Sequence, residues 1–320
     1  MKTKHLLFAF AALLLAACSQ KVPAPYEVGP YTVTTIRKGV LYDIEDSNHD
    51  NPAGTHVDAD GRSSMNNCSN IYLVLGKKTA LMIDLSNNIR WADNAAESLQ
   101  QIFSDLAGER ERIIALTHSH GDHTGMAHAF VDDPDVRFYL PKADFERNRI
   151  FPAERTTLIE DGYVFDLGKV KVDAIDVKGH TPGSMVYYVE RMNALFSGDA
   201  VGSGSGVWIF SLDGYRQYEQ GLANLMRFVD NPANKIDKDA LTIYGGHAWQ
   251  KGDTPKLTAQ YLYDMQAAVD DITAGKAEWE PYQSGNRMLN ANFKHGCATI
   301  TWNTDSYRAL CAERGIELPE

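Results

Sequence analysis

The sequence has few cysteines and no excess of basic residues. Only 4 of its 320 residues are cysteine, which excludes a disulfide-dense scaffold. Its 42 Asp and Glu outnumber its 31 Lys and Arg, and the formal net charge of −11 argues against a protein that binds nucleic acid or an anionic membrane surface. What is present, 44% hydrophobic and 23% charged residues, is typical of a globular protein with a sizeable core.

The chain opens with the features of an export signal. Lys2 and Lys4 precede an apolar run from Leu6 to Ala17, which is shorter than the roughly 20 residues that a membrane-spanning helix needs. The run ends in Leu15-Ala16-Ala17-Cys18, which resembles the lipobox of bacterial lipoproteins. The resemblance implies removal of residues 1–17 and attachment of lipid, such as palmitate, to Cys18. The alternatives are an ordinary secretory signal with a chance cysteine, or a buried N-terminal helix.

The lipoprotein resemblance also implies a location. Ser19, directly after the lipid-bearing cysteine, is typical of lipoproteins sorted to the outer membrane, so we expect an exported protein that is anchored there and faces the periplasm. Residues 18–30, with three prolines, would form a lipidated tether, and residues 31–320 the folded domain. In that compartment Cys68, Cys297 and Cys311 can form at most one disulfide, and their spacing does not select the pair.

Strand and helix patterns alternate after residue 30 without a linker or a repeat, which predicts a single α/β domain with helices outside the sheets. Residues 43–70 form a long polar segment that is expected to be a loop or lid. The predicted strands are 33–42, 71–75, 80–84, 112–117, 136–140, two within 164–177, 184–189, 193–196, 241–244 and 298–302. The predicted helices are 93–106, 123–131, 142–149, 215–229 and 254–275, the last with Thr254 as N-cap and Pro255 at its first position.

A histidine-rich stretch carries the strongest chemical signal. His118 and His120 lie two apart after a short buried strand, so both rings leave one face of the extended chain. Gly121 permits a sharp turn, after which Asp122 and His123 point back toward the same place. Three imidazoles and a carboxylate within six residues suit zinc, which takes nitrogen and oxygen ligands.

Three further pieces follow, each after a predicted strand and on a glycine-containing loop, the usual place for sites in α/β proteins. They are His180 in Gly179-His180-Thr181-Pro182-Gly183-Ser184, Asp199 in Ser197-Gly198-Asp199-Ala200, and His247 in Gly245-Gly246-His247. Together with His118-x-His120-x-Asp122-His123, and in this order, these pieces resemble the metallo-β-lactamase superfamily. The resemblance covers residues 31–250 and implies an αββα sandwich, in which two mixed sheets pack face to face with helices outside.

The resemblance also implies a role for each of these side chains. One metal ion would be held by His118, His120 and His180, the second by Asp122, His123 and His247, and Asp199 would bridge the two. Asp84, at the end of Leu81-Met82-Ile83, matches a family position that supports the metal-binding loops, although an Asp that caps a turn is an equal alternative. We expect two divalent cations, zinc above all, with iron or manganese also compatible with a bridging carboxylate.

Two such ions would bind and ionise one water, and the bridging hydroxide would attack a small substrate, with Asp122 orienting it and passing a proton to the leaving group. Asp at the bridging position is typical of glyoxalase II and acyl-homoserine-lactone lactonases, whereas the β-lactamases usually have Cys or Ser there. The expected reaction is therefore hydrolysis of a carboxylic ester, thioester or lactone. The alternatives are a periplasmic metallo-β-lactamase, hydrolysis of a small phosphodiester, and a surface lipoprotein without catalytic activity.

Substrate specificity is expected to lie in loops. A glycine-rich turn, Gly202-Ser203-Gly204-Ser205-Gly206, leads into Val207-Trp208-Ile209-Phe210, which could form an apolar wall beside the metals or simply a buried strand. The polar segment 43–70 is the other candidate, and its His49 and His56 would then face the site.

Overall fold

A computed structural model describes residues 22–46, 55–57, 63–65, 68–204, 206–251, 257–283, 286 and 288–318. The predicted signal segment, Cys18, Ser19, His49, Ser205 and the predicted helix start at Thr254 and Pro255 lie outside these residues, as does the side chain of His56. Among the described helices, none is long and apolar enough to cross a membrane.

In chain order, the strands of the described part are β1 (Tyr26–Val28), β2 (Tyr31–Arg37), β3 (Leu41–Asp46), β4 (Thr55–Val57), β5 (Ser63–Met65), β6 (Ile71–Leu75), β7 (Thr79–Ile83), β8 (Glu111–Ala115), β9 (Val136–Pro141), β10 (Thr156–Ile159), β11 (Val164–Asp166), β12 (Lys171–Asp176), β13 (Met185–Val189), β14 (Ala194–Gly198), β15 (Gly206–Trp208), β16 (Thr242–Gly245), β17 (Trp279–Pro281), β18 (Ala291–His295) and β19 (Ala298–Trp302). The α-helices are α1 (Ala95–Ala107), α2 (Gly121–Thr124), α3 (Lys142–Phe145), α4 (Leu212–Asp230), α5 (Ala259–Thr273) and α6 (Thr304–Glu313).

Two mixed sheets form the centre of the described structure. The first has the order β1-β2-β3-β6-β7-β8-β9-β10, and the second has the order β11-β12-β13-β14-β16. In the first sheet β7, β8, β9 and β10 run parallel, and in the second β14 and β16 run parallel. Parallel neighbours end at the same edge, so the loops that follow β7, β8 and β9 meet there.

Three apolar layers show why the sheets stack. The residues of β6 are all buried and alternate between faces: Ile71 and Leu73 contact the layer that contains α1, whereas Tyr72 and Val74 face the second sheet. The middle layer joins the two sheets, and the third packs the outer face of the second sheet against α4 and α5. This order of layers is the αββα sandwich that the sequence predicted.

A C-terminal sheet that the sequence indicated only through one late strand completes the third layer. Its order is β15-β19-β18-β17, and β15 pairs in parallel with β19. The ring of Trp302 on β19 is fully buried and stacks on Tyr215 of α4, with centroids 4.4 Å apart. Residues after the last motif histidine therefore belong to the same core.

The structure corrects several boundaries. The single strand predicted over residues 33–42 is two strands, β2 and β3, because the chain reverses at Gly39, whose φ of 68° is in the left-handed region. The segment 43–70 is not entirely loop, since β3 extends to Asp46 and β4 pairs with β5. The helices predicted over 123–131 and 142–149 are shorter, and β10 and α6 were not predicted.

The N-terminal boundary of the folded domain also shifts. The tether was expected to extend through Pro30, but Tyr26–Val28 pairs with β2 as the edge strand of the first sheet. The strand is mostly exposed, and its three residues are too few for apolar alternation to identify it from the sequence.

Replacing Trp302 with Ala should lower the free energy of unfolding by about 3–5 kcal/mol, because a large cavity would open between β19 and α4. Urea unfolding followed by circular dichroism measures the change. The control is Tyr263→Ala on α5, whose side chain is 37% exposed, and it should cost less than about 1 kcal/mol. Equal effects of the two variants would show that the C-terminal sheet does not share the domain core.

Candidate metal centre

Five imidazoles converge at the edge of the sandwich where strands of both sheets end. His118 and His120 follow β8, and the single turn of α2 brings His123 back beside His118, with ring centroids 4.2 Å apart. The loop after β12 places His180 4.6 Å from the ring of His120, and the loop after β16 places His247 5.2 Å from that of His123.

The ligand-type atoms separate into two groups, within each of which they lie within 4.8 Å of one another. The groups are His118, His120 and His180, and Asp122, His123, Asp199 and His247. The seven side chains that the family resemblance implies as metal ligands thus come together, with Asp199 in the group of Asp122, His123 and His247.

Asp199 lies between the two groups. Its Oδ1 is 3.3 Å from Nε2 of His123 and 3.4 Å from Nε2 of His247, and its Oδ2 is 3.5 Å from Nε2 of His180. One carboxylate therefore offers an oxygen to each group, which is compatible with a bridging ligand.

Backbone carbonyls determine which nitrogen of two histidines faces the centre. His180 Nδ1 lies 2.9 Å from the carbonyl oxygen of Trp208, and His247 Nδ1 lies 2.7 Å from that of Cys68. Because a carbonyl only accepts hydrogen bonds, each Nδ1 must carry the proton, and the lone pair of each Nε2 is directed inward.

Asp84 determines in the same way which nitrogen of His123 and of His118 faces the centre. Its carboxylate accepts hydrogen bonds from Thr117 N and Thr117 Oγ1, both at 2.7 Å, and from His123 Nδ1 at 2.8 Å. Since the Thr117 hydroxyl donates to Asp84, it is left to accept from His118 Nδ1, 3.0 Å away. Asp84 thus orients His123 directly and His118 through Thr117, which exceeds the turn-capping role considered as an alternative.

Two buried atoms indicate that this centre suits cations. His118 Nε2 and Asp199 Oδ1 are both buried, and neither atom forms a hydrogen bond within the described part of the chain. A buried polar atom without a partner is costly, and a cation coordinated by both lone pairs would remove that cost. The donor set of imidazoles and carboxylates is one that zinc, iron and manganese accept.

The electrostatics of the two groups differ. Burial lowers the pKa of His180 to about 4 and that of His118 well below its usual value, so both rings are neutral, as metal ligands must be. Burial opposes charge on His247 too, but Asp199 and a hydrogen bond with Asp122 raise its pKa to about 9. The carboxylate-containing group therefore attracts positive charge, which a metal ion would supply in place of protons.

The side of the centre that opens to solvent is formed by His120 and Asp122. Both are half-buried, whereas the other five side chains are buried. Catalytic metal sites keep such an open position, and structural sites are usually closed.

One positioning residue was missed from the sequence. Asp144 on α3 accepts hydrogen bonds from Ser119 N at 3.0 Å, Thr181 Oγ1 at 2.7 Å and Gly183 N at 2.7 Å, and so ties the loop of His118 and His120 to the loop of His180. Gly183 is required there, because a Cβ would lie 2.7 Å from Asp144 Cγ. A lone Asp on a predicted helix carries no pattern that would have indicated this role.

Other residues considered from the sequence lie outside the centre. His128 Nδ1 faces the carbonyl of Gly125 on the surface, and His295 pairs with Asp271. Cys68 and Cys311 are buried and Cys297 is exposed, and no disulfide joins any two of them.

Comparison with known proteins agrees with this arrangement. A family model described as Metallo-beta-lactamase superfamily matches residues 68–247. The chain is 27% identical over 189 residues to the atrochrysone carboxyl ACP thioesterase of Claviceps purpurea, which covers 58% of this chain and 53% of the relative. It is 26% identical over 232 residues to the lactamase-like protein nscB of Neosartorya fischeri, which covers 71% and 62%. The chain thus spans about half the length of the curated relatives it matches.

A solved structure supports the fold. The metallo-beta-lactamase from Pontibacter korlensis superposes with a TM-score of 0.51 and 18% sequence identity, covering 75% of this chain and 99% of that chain. At this identity the likeness concerns the fold alone, and it confirms the sandwich.

Replacing Asp144 with Ala should weaken metal binding by about 10- to 100-fold, because the loop of His118 and His120 and the loop of His180 lose their shared acceptor. Asp144→Asn should fall between wild type and Ala, since the amide would point its NH₂ at one of three donors. Competition with a chromophoric chelator measures the affinity. The matched control is Glu146→Ala on the exposed side of the same segment, and metal binding equal to that of wild type in Asp144→Ala would contradict the role.

Proposed function

The chain belongs to the metallo-β-lactamase superfamily, and we propose that it is a hydrolase that uses two divalent metal ions to cleave a carboxylic thioester or ester. The single observation that carries this proposal is the carboxylate of Asp199 between the two ligand groups, where β-lactamases usually have Cys or Ser. The name of one relative, a thioesterase, supports the choice of thioester. Lactone hydrolysis uses the same chemistry.

In this proposal His118, His120 and His180 would hold one ion, Asp122, His123 and His247 would hold the other, and Asp199 would serve both. Zinc is the expected metal at both positions. Bound there, two divalent cations would lower the pKa of a shared water and polarise the acyl carbonyl. Asp84, Thr117, and the carbonyls of Trp208 and Cys68 keep four of the five imidazoles oriented, those of His118, His123, His180 and His247, so little reorganisation of these rings is needed during the reaction.

Asp122 combines two roles in this proposal. Burial alone would raise its pKa, but a hydrogen bond with His247 and the neighbouring His123 lower it to about 2, so it is a carboxylate at neutral pH. On the solvent-facing side of the centre, that carboxylate can orient an attacking water and take up a proton for the leaving group. A thiol leaving group, with a pKa of about 8.5, needs less of this help than an alcohol.

A substrate panel with metal analysis tests the function. We expect purified protein to carry about two metal ions per chain and to cleave thioesters and esters, and His120→Ala to lose activity by at least about 100-fold together with bound metal. His128→Ala, a surface histidine outside the centre, is the control and should match wild type in both measurements.

The other outcomes of the same panel are decisive. Turnover of a β-lactam faster than of any thioester or ester would replace the proposal with a β-lactamase, and turnover only of a phosphodiester would replace it with a phosphodiesterase. Normal metal content with no turnover of any class would indicate a protein without catalytic activity. Full activity in His120→Ala would contradict the assignment of the centre.

We also propose that the protein is exported and anchored by lipid on Cys18, with a small molecule as its substrate and without a role for nucleic acid. The support for export and lipid attachment is that positively charged, apolar and small residues follow one another in this order within residues 1–18. The acidic composition of the chain supports the absence of a role for nucleic acid.

Metabolic labelling with an alkyne fatty acid tests the anchor. Wild type is expected to take up label and to sediment with the outer membrane of a Gram-negative host, whereas Cys18→Ser is expected to do neither. Cys297→Ser, which removes an exposed cysteine of the folded part, is the control and should behave as wild type. Label retained in Cys18→Ser would refute lipid attachment at this residue.

A further inference from the structure

The segment after the glycine-rich turn presents two aromatic rings on one side. Val207 and Ile209 are fully buried in the core, whereas Trp208 is 36% exposed and Phe210 is half-buried. Residues of an extended segment alternate between its two sides, so Trp208 and Phe210 share the outer one. The buried strand suggested by the sequence is thus formed by Val207 and Ile209, and Trp208 and Phe210 are the residues left to form an apolar wall.

Phe210 lies directly against the metal centre. Its ring centroid is 5.9 Å from that of His120 and 5.4 Å from that of His180, in edge-to-face and tilted arrangements. These two histidines belong to the ligand group without Asp122. Phe210 thus lines the approach to the centre on the side of His120, one of the two residues that face solvent.

Trp208 continues this surface away from the centre. Its ring centroid is 6.3 Å from that of Tyr282, which is half-buried and comes from the segment after β17. The backbone carbonyl of Trp208 accepts the hydrogen bond of His180 Nδ1, so the strand that carries the rings is fixed to a metal ligand. Single exposed aromatic residues are ordinary on protein surfaces. Phe210, Trp208 and Tyr282, however, follow one another outward from the metal centre and extend an apolar surface from it.

We propose that Phe210, Trp208 and Tyr282 form an aromatic shelf that binds the acyl group of the substrate and favours acyl groups with a flat, aromatic or apolar face. The inference rests on the proposed thioester or ester hydrolysis. Three neutral rings offer offset-stacked and edge-to-face contacts but no cationic group to pair with a carboxylate or phosphate.

The position of Asp122 assigns the shelf to the acyl side of the scissile bond. Asp122, which serves the leaving group in the proposed reaction, belongs to the ligand group of His123 and His247, whereas Phe210 contacts the other group. With the acyl carbonyl at the metals, the leaving group is directed toward Asp122 and the acyl chain toward Phe210.

Two thioesters of the same small thiol, one acetyl and one 2-naphthoyl, test the shelf. Wild type should cleave the naphthoyl thioester with a kcat/KM about tenfold above that of the acetyl thioester, and Trp208→Ala should lower this ratio by about fivefold to tenfold. Trp208→Phe, which keeps an aromatic ring, should restore most of it. Metal content and the unfolding midpoint of every variant are measured alongside.

Trp279→Ala is the matched control. Trp279 lies on β17 in the same C-terminal sheet and is 40% exposed, but its ring packs on Phe293 and Tyr307. Its replacement should leave the naphthoyl-to-acetyl ratio unchanged.

A binding measurement separates the shelf from the proposed function. Titration with 2-naphthoate, the product carboxylate, should quench tryptophan fluorescence in wild type and much less in Trp208→Phe. Equal kcat/KM for the two thioesters, with no change in Trp208→Ala, would overturn the shelf and leave the hydrolase standing. Absence of any thioester or ester turnover would overturn the hydrolase, and loss of the naphthoate signal as well would overturn the shelf with it.

Discussion

The rest of the metal centre depends on one kind of interaction, the hydrogen bond that holds the imidazoles of His118, His123, His180 and His247 by their Nδ1 atoms. With Nδ1 bound to a carbonyl, a hydroxyl or a carboxylate, the lone pair of Nε2 is directed at the interior. Several lone pairs and the Asp199 carboxylate then share a largely buried space. Such a concentration of acceptors is stable only when positive charge is present between them, and divalent cations supply it with fixed geometry.

The sandwich makes this arrangement possible because it aligns partners of those histidines at the ends of neighbouring strands. Asp84 follows β7 and Thr117 follows β8, and these parallel neighbours end side by side. The sheets are joined at the same place, where Met185 N donates to the carbonyl of Thr117 and the Tyr187 hydroxyl donates to that of Leu116. The hydrogen bonds that join the two sheets therefore also hold the metal-binding centre in place.

Much of this was predictable from the sequence, for a physical reason. Ligand-type residues at short spacing on strand-end loops, such as His118 to His123, carry their own pattern, and the hairpin of β6 and β7 follows from two apolar runs about Gly76. Asp144 and Trp208 could not be predicted in the same way. Their roles arise from hydrogen bonds between segments distant in sequence, 39 residues apart for Asp144 and Gly183 and 28 for His180 and Trp208. The exposed edge strand β1, with three residues, is too short for apolar alternation to identify it.

The hydrogen bond between His180 Nδ1 and the carbonyl of Trp208 has a consequence for how the protein unfolds. β15, which ends at Trp208, is held in parallel register by β19, and β19 lies beyond the last metal-binding histidine in the chain. Departure of β19 would free the imidazole of His180 to rotate, so cation release and fraying of the C-terminal sheet are thermodynamically linked. A bound ion would accordingly protect the amide protons of β19 from exchange, although no residue of that strand approaches the ion as a ligand.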